Sequence, residues 1–342
     1  MIGLAKIEPG SGHVGLAERD EPQAVPGMVV LEVLGTGICG TDLHIERGEY
    51  ECRAPVTLGH ETCGRVIAVG DRVDGAWIGR RVVTETYFST CEACPYCLAG
   101  RRNLCAERRS IGTHVDGGFA PRLCVPARNL HVVSDEIDDA AATLAEPLAC
   151  VCNSLLSPPV VEPADAVLVI GPGAIGLLAA QVARLAGGRV VVRGIPGDAV
   201  RLALAESLGF ATSVVGDRQE PSWLGASRPN VTIECSGSEP GIRYALERTA
   251  PAGRIVQIGL RGADVTVPID LISFRELTVT SGMASTPASW IEAMRLLEHG
   301  LVELETLVSG IAGLDDWEQS FARTRRAEGL KFVLDPRMSG RA

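Results

Sequence analysis

Aromatic residues make up only 4% of this 342-residue chain, too few for a broad aromatic binding face. No block or stripe of Lys and Arg occurs, and 32 basic against 42 acidic residues leave a net charge of −10. That balance argues against nucleic acid as a partner. No run of about 18 uninterrupted apolar residues is present, so no membrane partner is expected. The N-terminus, MIGLAKIEPGSG, lacks the charged-then-apolar build of a secretory signal. A cytoplasmic address is therefore the expectation. What the chain does have is 46% hydrophobic residues, 39 glycines and 11 cysteines. Cysteines in a reducing compartment stay free to bind metal or to pack as small hydrophobes. The length predicts two domains of ordinary size rather than one core.

Four of the cysteines stand in a single run. Cys91, Cys94, Cys97 and Cys105 read C-x2-C-x2-C-x7-C, a spacing that lets one short loop wrap a tetrahedral Zn²⁺ with four thiolates. Four ligands leave no open position, so this zinc should hold structure together and do no chemistry. Two disulfides are the alternative, and the reducing compartment speaks against them.

The texture of the chain changes near Ala164. Before it, short β-prone runs at Val29–Leu34, Thr62–Val69, Arg81–Thr86 and Ala120–Val125 are separated by turn signals, as in a small barrel or sandwich. An alanine-rich apolar stretch from Asp138 reads as a helix leading onward. Beyond it, buried strands at Ala166–Ile170, Arg189–Val192, Val231–Cys235 and Arg254–Ile258 alternate with helices at Leu177–Leu185, Asp198–Leu208 and Gly241–Arg248. That alternation predicts an α/β fold with a doubly wound parallel sheet. The tail holds an amphipathic helix at Trp290–His299 and a last strand at Leu330–Leu334 that could return to the first lobe.

Gly171-Pro172-Gly173-Ala174-Ile175-Gly176 is G-x-G-x-x-G placed directly after a strand and before a helix. The pattern supplies a tight turn, close approach of backbone to a pyrophosphate, and close helix–strand packing. Opening helical N–H groups then face the phosphates. The acid that normally ends the second strand and holds the ribose hydroxyls is missing, because that position is Gly194, preceded by Arg193. Arg193 beside a 2′-phosphate would mean NADP. Asp198, in the following loop, would repel that phosphate and could instead reach the ribose, or it could simply cap the next helix. The cofactor is NAD or NADP, with the balance favouring NAD.

A second constellation comprises Gly37-Ile38-Cys39-Gly40-Thr41-Asp42-Leu43-His44 and Gly59-His60-Glu61. Cys39, His60 and Glu61 offer thiolate, imidazole and carboxylate, a mixture suited to a catalytic Zn²⁺ that keeps one position open. With these motifs in view, the chain resembles the zinc-dependent medium-chain dehydrogenase/reductase family, in its sorbitol and threonine dehydrogenase branch, over nearly its full length. G-I-C-G-T-D-x-H, G-H-E, the four-cysteine loop, E-P-L and G-x-G-x-x-G follow one another in the family's order.

The resemblance implies a GroES-like catalytic zinc domain over residues 1–150, a Rossmann dinucleotide domain over 151–285, and a segment 286–342 that returns to the catalytic domain. It implies two zinc ions per chain, the catalytic one on Cys39, His60 and either Glu61 or Glu146, the last being the glutamate of Glu146-Pro147-Leu148. Cys150 and Cys152 then read as packing residues. A homodimer or homotetramer is also implied. The expected reaction is hydride transfer from an alcohol to a nicotinamide, with zinc lowering the alcohol's pKa. Thr41 resembles the family's relay hydroxyl, His44 could pass the proton to solvent, and Asp42 would orient a zinc ligand.

Glu46, Glu49 and Glu51 follow closely. An acidic rim there would accept a polyol and attract an amino sugar or aminocyclitol, such as an aminoglycoside-pathway intermediate. The expected substrate is thus a secondary alcohol on a polyol, sugar or amino sugar. Two alternatives are a zinc-free type of quinone reductase and a non-enzymatic redox sensor built on the cysteine loop. Neither requires Cys39, His60 and a carboxylate around an open metal.

Overall fold

The computed structural model describes residues 1–216 and 228–340. The first part of the chain contributes β1 (Ile2–Lys6), β2 (Val14–Glu18), β3 (Met28–Gly37), α1 (Gly40–Glu46), β4 (Val56–Thr57), β5 (Glu61–Val69), β6 (Arg81–Thr84), β7 (Tyr87–Ser89), α2 (Pro95–Leu98), β8 (Arg109–Ser110), β9 (Arg122–Pro126) and β10 (Leu130–Val132). Helices α3 (Asp139–Ala142) and α4 (Ala145–Leu155) follow. The alanine-rich stretch is therefore two helices, broken at Thr143-Leu144, with Asp138 capping the first through the N–H of Ala140. The middle of the chain forms β11 (Ala166–Ile170), α5 (Ala174–Leu185), β12 (Arg189–Gly194), α6 (Ala199–Ser207), β13 (Ala211–Val214), β14 (Val231–Glu234), α7 (Glu239–Arg248), β15 (Arg254–Gln257), α8 (Asp270–Phe274) and β16 (Thr278–Thr280). The tail adds α9 (Pro287–Glu298), β17 (Val308–Ala312), α10 (Trp317–Arg325) and β18 (Lys331–Leu334).

These elements fall into two compact units, one of Met1–Glu146 with Thr286–Ala342 and the other of Pro147–Ser285. The first is β-rich. Its main sheet runs β10-β6-β5-β3-β18-β17, and a three-stranded sheet runs β2-β1-β4. Strand β3 is ten residues long and organises the unit. One edge pairs with β5 along its length, while on the other edge its start pairs with β9 and its end with β18. Pairing of Val333 with Gly37 is what brings the chain's tail beside its head. Leu31, Val33, Val66, Val82 and Leu123 form one core beneath the sheet, and Leu4, Leu58, Phe119, Phe321 and Phe332 form another.

In the second unit the order β13-β12-β11-β14-β15-β16 is parallel at every pairing. Parallel strands buried on both faces read as unbroken apolar runs, and Val167, Leu168, Val169 and Ile170 are all buried. The order reverses direction at β11, the first strand of the series. The crevice beyond the carboxyl ends of strands at such a point is where doubly wound sheets take ligands. Among the described residues, no helix is long and apolar enough to cross a membrane.

Candidate functional site

Sheet register assembles the first cluster. Glu61 opens β5 opposite Gly37, the last residue of β3, and Cys39 lies two residues beyond that strand as the N-cap of α1. Asp42 closes the turn by accepting the backbone N–H of Cys39 at 2.9 Å, which fixes the thiol's position. Ligand atoms of Cys39, His60 and Glu61 consequently lie within 4.8 Å of one another. His60 and Glu61 are buried while Cys39 is half-buried.

The surroundings are rich in acids for so dry a place. The buried Asp42 carboxylate has an Oδ1 without a hydrogen-bond partner, and this atom stands 3.8 Å from Nδ1 of His60. Burial pushes the Asp42 carboxyl up, against the pull of His60 and the Cys39 N–H. Burial would lower the imidazole's pKa, but the Cys39 thiol and the Asp42 and Glu146 carboxyls outweigh it and hold His60 well above its ordinary value. A group of donors that draws a proton this strongly fits a cation. With Asp42 facing Nδ1, the opposite ring nitrogen is left for a metal, the usual arrangement of a ligating histidine. Thiolate, imidazole and carboxylate together suit Zn²⁺.

One participant comes from the far end of the chain. Lys331, buried in β18, donates to Glu61 Oε1 and Oε2 at 2.7 and 2.5 Å and to the carbonyl of Ile38 at 3.1 Å. Desolvation opposes its charge, yet Glu61 and Cys39 raise its pKa, so it remains an ammonium. Nothing local in the sequence marks this lysine, because Glu61 is 270 positions away. Glu146, at the start of α4, is also buried and accepts the Thr86 hydroxyl at 2.8 Å. It acts on His60 and Lys331 through its charge and lies outside the three-ligand group. Thr41 Oγ1 stands 3.7 Å from Cys39 Sγ, and Nδ1 of His44 lies 2.7 Å from Glu49 Oε2.

The second cluster is local. Sγ atoms of Cys91, Cys94, Cys97 and Cys105 lie within 4.8 Å of one another, with Cys91 at 3.9 Å from Cys97 and 3.6 Å from Cys105. Backbone N–H groups already point at the sulfurs: Cys94 to Cys91 at 3.3 Å, and Cys97 to Cys94 at 3.4 Å as the cap of α2. The N–H groups of Ala93 and Cys94 hold the Cys91 thiol down to about 7. Four converging sulfurs with donors aimed at them make a structural zinc site.

In the other unit, the turn Gly171–Gly176 joins β11 to α5. Gly171 has φ +97° and a Cβ there would meet Ser236 N at 2.8 Å; one on Gly176 would meet Gly171 O at 1.9 Å. A Cβ on Gly173 would meet nothing within 4 Å. Two glycines thus serve the fold, while the middle one leaves open space at the first turn of α5. That is the approach a pyrophosphate needs, with Pro172, Ala174 and Ile175 completing the turn. At the end of β12, the Arg193 guanidinium is turned into the protein. It donates to Ser213 Oγ at 3.1 Å and lies 4.5 Å over the Tyr244 ring. Asp198 accepts the N–H of Ile195 at 3.0 Å.

The chain is similar to known proteins over nearly its whole length. The model of the alcohol dehydrogenase GroES-like domain matches residues 25–135, and that of zinc-binding dehydrogenases matches 174–299. Sorbitol dehydrogenase of Halalkalibacterium halodurans is 34% identical over 98% of this chain and 99% of its own length. L-threonine 3-dehydrogenase of Pyrococcus horikoshii is 32% identical, with 98% of each chain covered. The crystal structure of a zinc-binding dehydrogenase from Sinorhizobium meliloti bound to NADP superposes with a TM-score of 0.89, at 30% identity over 98% of this chain and 99% of that one.

Proposed function

The chain belongs to the zinc-containing medium-chain alcohol dehydrogenase family, and from that premise we propose that it oxidises a secondary alcohol of a neutral polyol or sugar with NAD(P) as hydride acceptor. The observation that carries the reading is the mixed cluster of Cys39, His60 and Glu61, which offers three ligands rather than four. A zinc-free quinone reductase or a redox sensor has no use for it. When bound, zinc supplies a Lewis acid that makes the alcohol proton easy to remove, and the nicotinamide takes the hydride.

The chain's own residues do the rest. Cys39 and His60 would hold the metal, and the Asp42 carboxylate, 3.8 Å from Nδ1, faces the imidazole with its charge. Glu61 is shared with Lys331, so its carboxylate has a cation to rest on whenever it is not a ligand. Thr41 accepts the alcohol proton and gives up its own. His44, three residues on along the same side of α1, is placed to deliver a proton to water, with Glu49 at its Nδ1.

Neutral substrates come first because the acidic rim is largely spoken for. Glu46 pairs with Arg325, and Glu49 with His44 and Arg47. Glu51 borders an open surface cavity, beside Tyr50, Arg108 and His114. The amino-sugar version of the reading rests on that one carboxylate. A homodimer or homotetramer is the proposed assembly, readable by light scattering.

A panel of polyols, sugars, amino sugars and L-threonine with NAD and NADP, followed at the nicotinamide absorbance, tests the proposal. Turnover with at least one neutral polyol, higher than with its amino analogue, is expected. Turnover confined to amino sugars or L-threonine would overturn the polyol reading while leaving the enzyme class intact.

A further inference from the structure

A dinucleotide fold holds the adenosine ribose with a carboxylate at the end of its second strand, and here that strand, β12, ends in Gly194. The space beside the glycine is filled. A Cβ built on Gly194 would lie 3.1 Å from Asp198 Cβ, 3.1 Å from Asp198 Oδ2 and 3.1 Å from Leu202 Cδ1. The carboxylate of a residue four positions later therefore occupies the volume next to the absent side chain. A short 3₁₀ turn, Pro196–Asp198, swings it back there.

The two carboxylate oxygens are held differently. Oδ2 accepts the Ile195 N–H at 3.0 Å. Oδ1 has the Arg201 guanidinium nearby, with Nη1 at 3.6 Å. Both side chains are mostly covered, Asp198 being 15% and Arg201 18% exposed. The other residue able to read this end of a nucleotide, Arg193, has its guanidinium turned inward onto Ser213 and Tyr244.

We propose that Asp198 performs the work of the missing strand-end acid, binding the ribose diol of NAD from four residues downstream, and that Gly194 is the residue that makes room for it. This rests on the nucleotide role of the Gly171–Gly176 turn. A carboxylate is acceptor-only when ionised, and vicinal 2′- and 3′-hydroxyls supply two donors. A 2′-phosphate brings about −1.5 to −2 charges to the same spot, so the chain should reject NADP. Arg201 has a part as well: beside Asp198 it steadies the carboxylate.

Calorimetric titration of the full-length protein with NAD, NADP and 2′-deoxy-NAD measures this without any alcohol. Wild-type protein should bind NAD at least about tenfold more tightly than NADP, the size of one charge-assisted hydrogen bond, and 2′-deoxy-NAD should bind more weakly than NAD. Asp198→Asn retains an oxygen for the Ile195 cap, so its melting temperature should hold while the NAD-to-NADP ratio falls about tenfold. Asp198→Ala should narrow the preference for NAD at least as far, because no carboxylate is left to bind the diol or to repel the 2′-phosphate. Gly194→Ala should weaken NAD and leave NADP unchanged, because its Cβ displaces the carboxylate.

An Asp198→Asn protein with an unaltered ratio, or one that melts lower and loses both dinucleotides equally, would make Asp198 a helix cap only and overturn the proposal. Wild-type protein that binds neither dinucleotide would overturn the nucleotide role of the turn as well. Binding of both with a fixed ratio overturns the assignment of Asp198 alone.

Discussion

The two metal clusters of the β-rich unit are built on opposite plans. The four-cysteine loop draws all its ligands from 15 consecutive residues, and the backbone N–H groups that neutralise its sulfurs come from the same loop. The Cys39–His60–Glu61 cluster draws its ligands from the N-cap of α1 and from the entry to β5, and its surrounding charges from α1, α4 and the C-terminal strand. The first site is closed and self-sufficient. The second offers three ligands rather than four and is electrostatically crowded, with Asp42, Glu61 and Glu146 buried around one imidazole and one ammonium. A site that only braces structure can be local, whereas one that must steer protons needs groups held apart by a scaffold and aimed at one point.

If that contrast holds, damage to the two sites should have different signatures. The largest effect on turnover belongs to His60→Ala, which should reduce activity to background while metal analysis still finds one zinc per chain and the melting temperature moves little. Loss of both zincs in this variant would break the contrast. Cys97→Ser should do the reverse. One zinc is lost and the melting temperature falls by at least about 5 °C, because structural zinc binding is folding free energy. Activity per remaining folded molecule should persist, measured at low temperature after gel filtration.

Asp42→Asn sharpens the contrast at a smaller scale. It keeps an oxygen for the Cys39 N–H but removes the charge facing His60, so turnover or zinc affinity should fall about 10- to 100-fold, the usual cost of losing a ligand's orienting partner. A zinc titration with a competing chelator separates the two. The smallest effect is expected from Thr86→Val, which deprives Glu146 of one hydrogen bond. A change of about tenfold or less in turnover, with both zincs retained, would keep Glu146 among the surroundings of the metal. Loss of the catalytic zinc would instead make Glu146 a ligand.

Much of the architecture is legible along the chain where it is locally encoded. The glycine turn sits between β11 and α5, the strand over Thr62–Val69 is observed as Glu61–Val69, and the helix over Trp290–His299 is observed as Pro287–Glu298 with its start moved to the Thr286 cap. The N-terminal hairpin of β1 and β2 is less legible. Its strands are five residues each and β2 is half exposed, so the apolar pattern is faint. Acidic residues after Cys39 look like a charged rim in sequence, yet Arg325 reaches Glu46 from 279 positions away.

The sequence by itself determined which chemistries are possible: a four-thiolate loop, a thiolate–imidazole–carboxylate set, and a strand–glycine–helix phosphate cradle. Each depends on spacing within a few residues or on residue type, and both survive without a fold. Tertiary structure alone decided where side chains point and what they meet. Pairing of β18 with β3 delivered Lys331 to Glu61. Arg193, at the end of β12, turned inward onto Ser213 and Tyr244. A reversing 3₁₀ turn laid Asp198 into the space beside Gly194. These outcomes follow from register, in which a shift of one residue sends a side chain to the other face, and from burial, which changes what a charge must have beside it. Neither is carried by local periodicity.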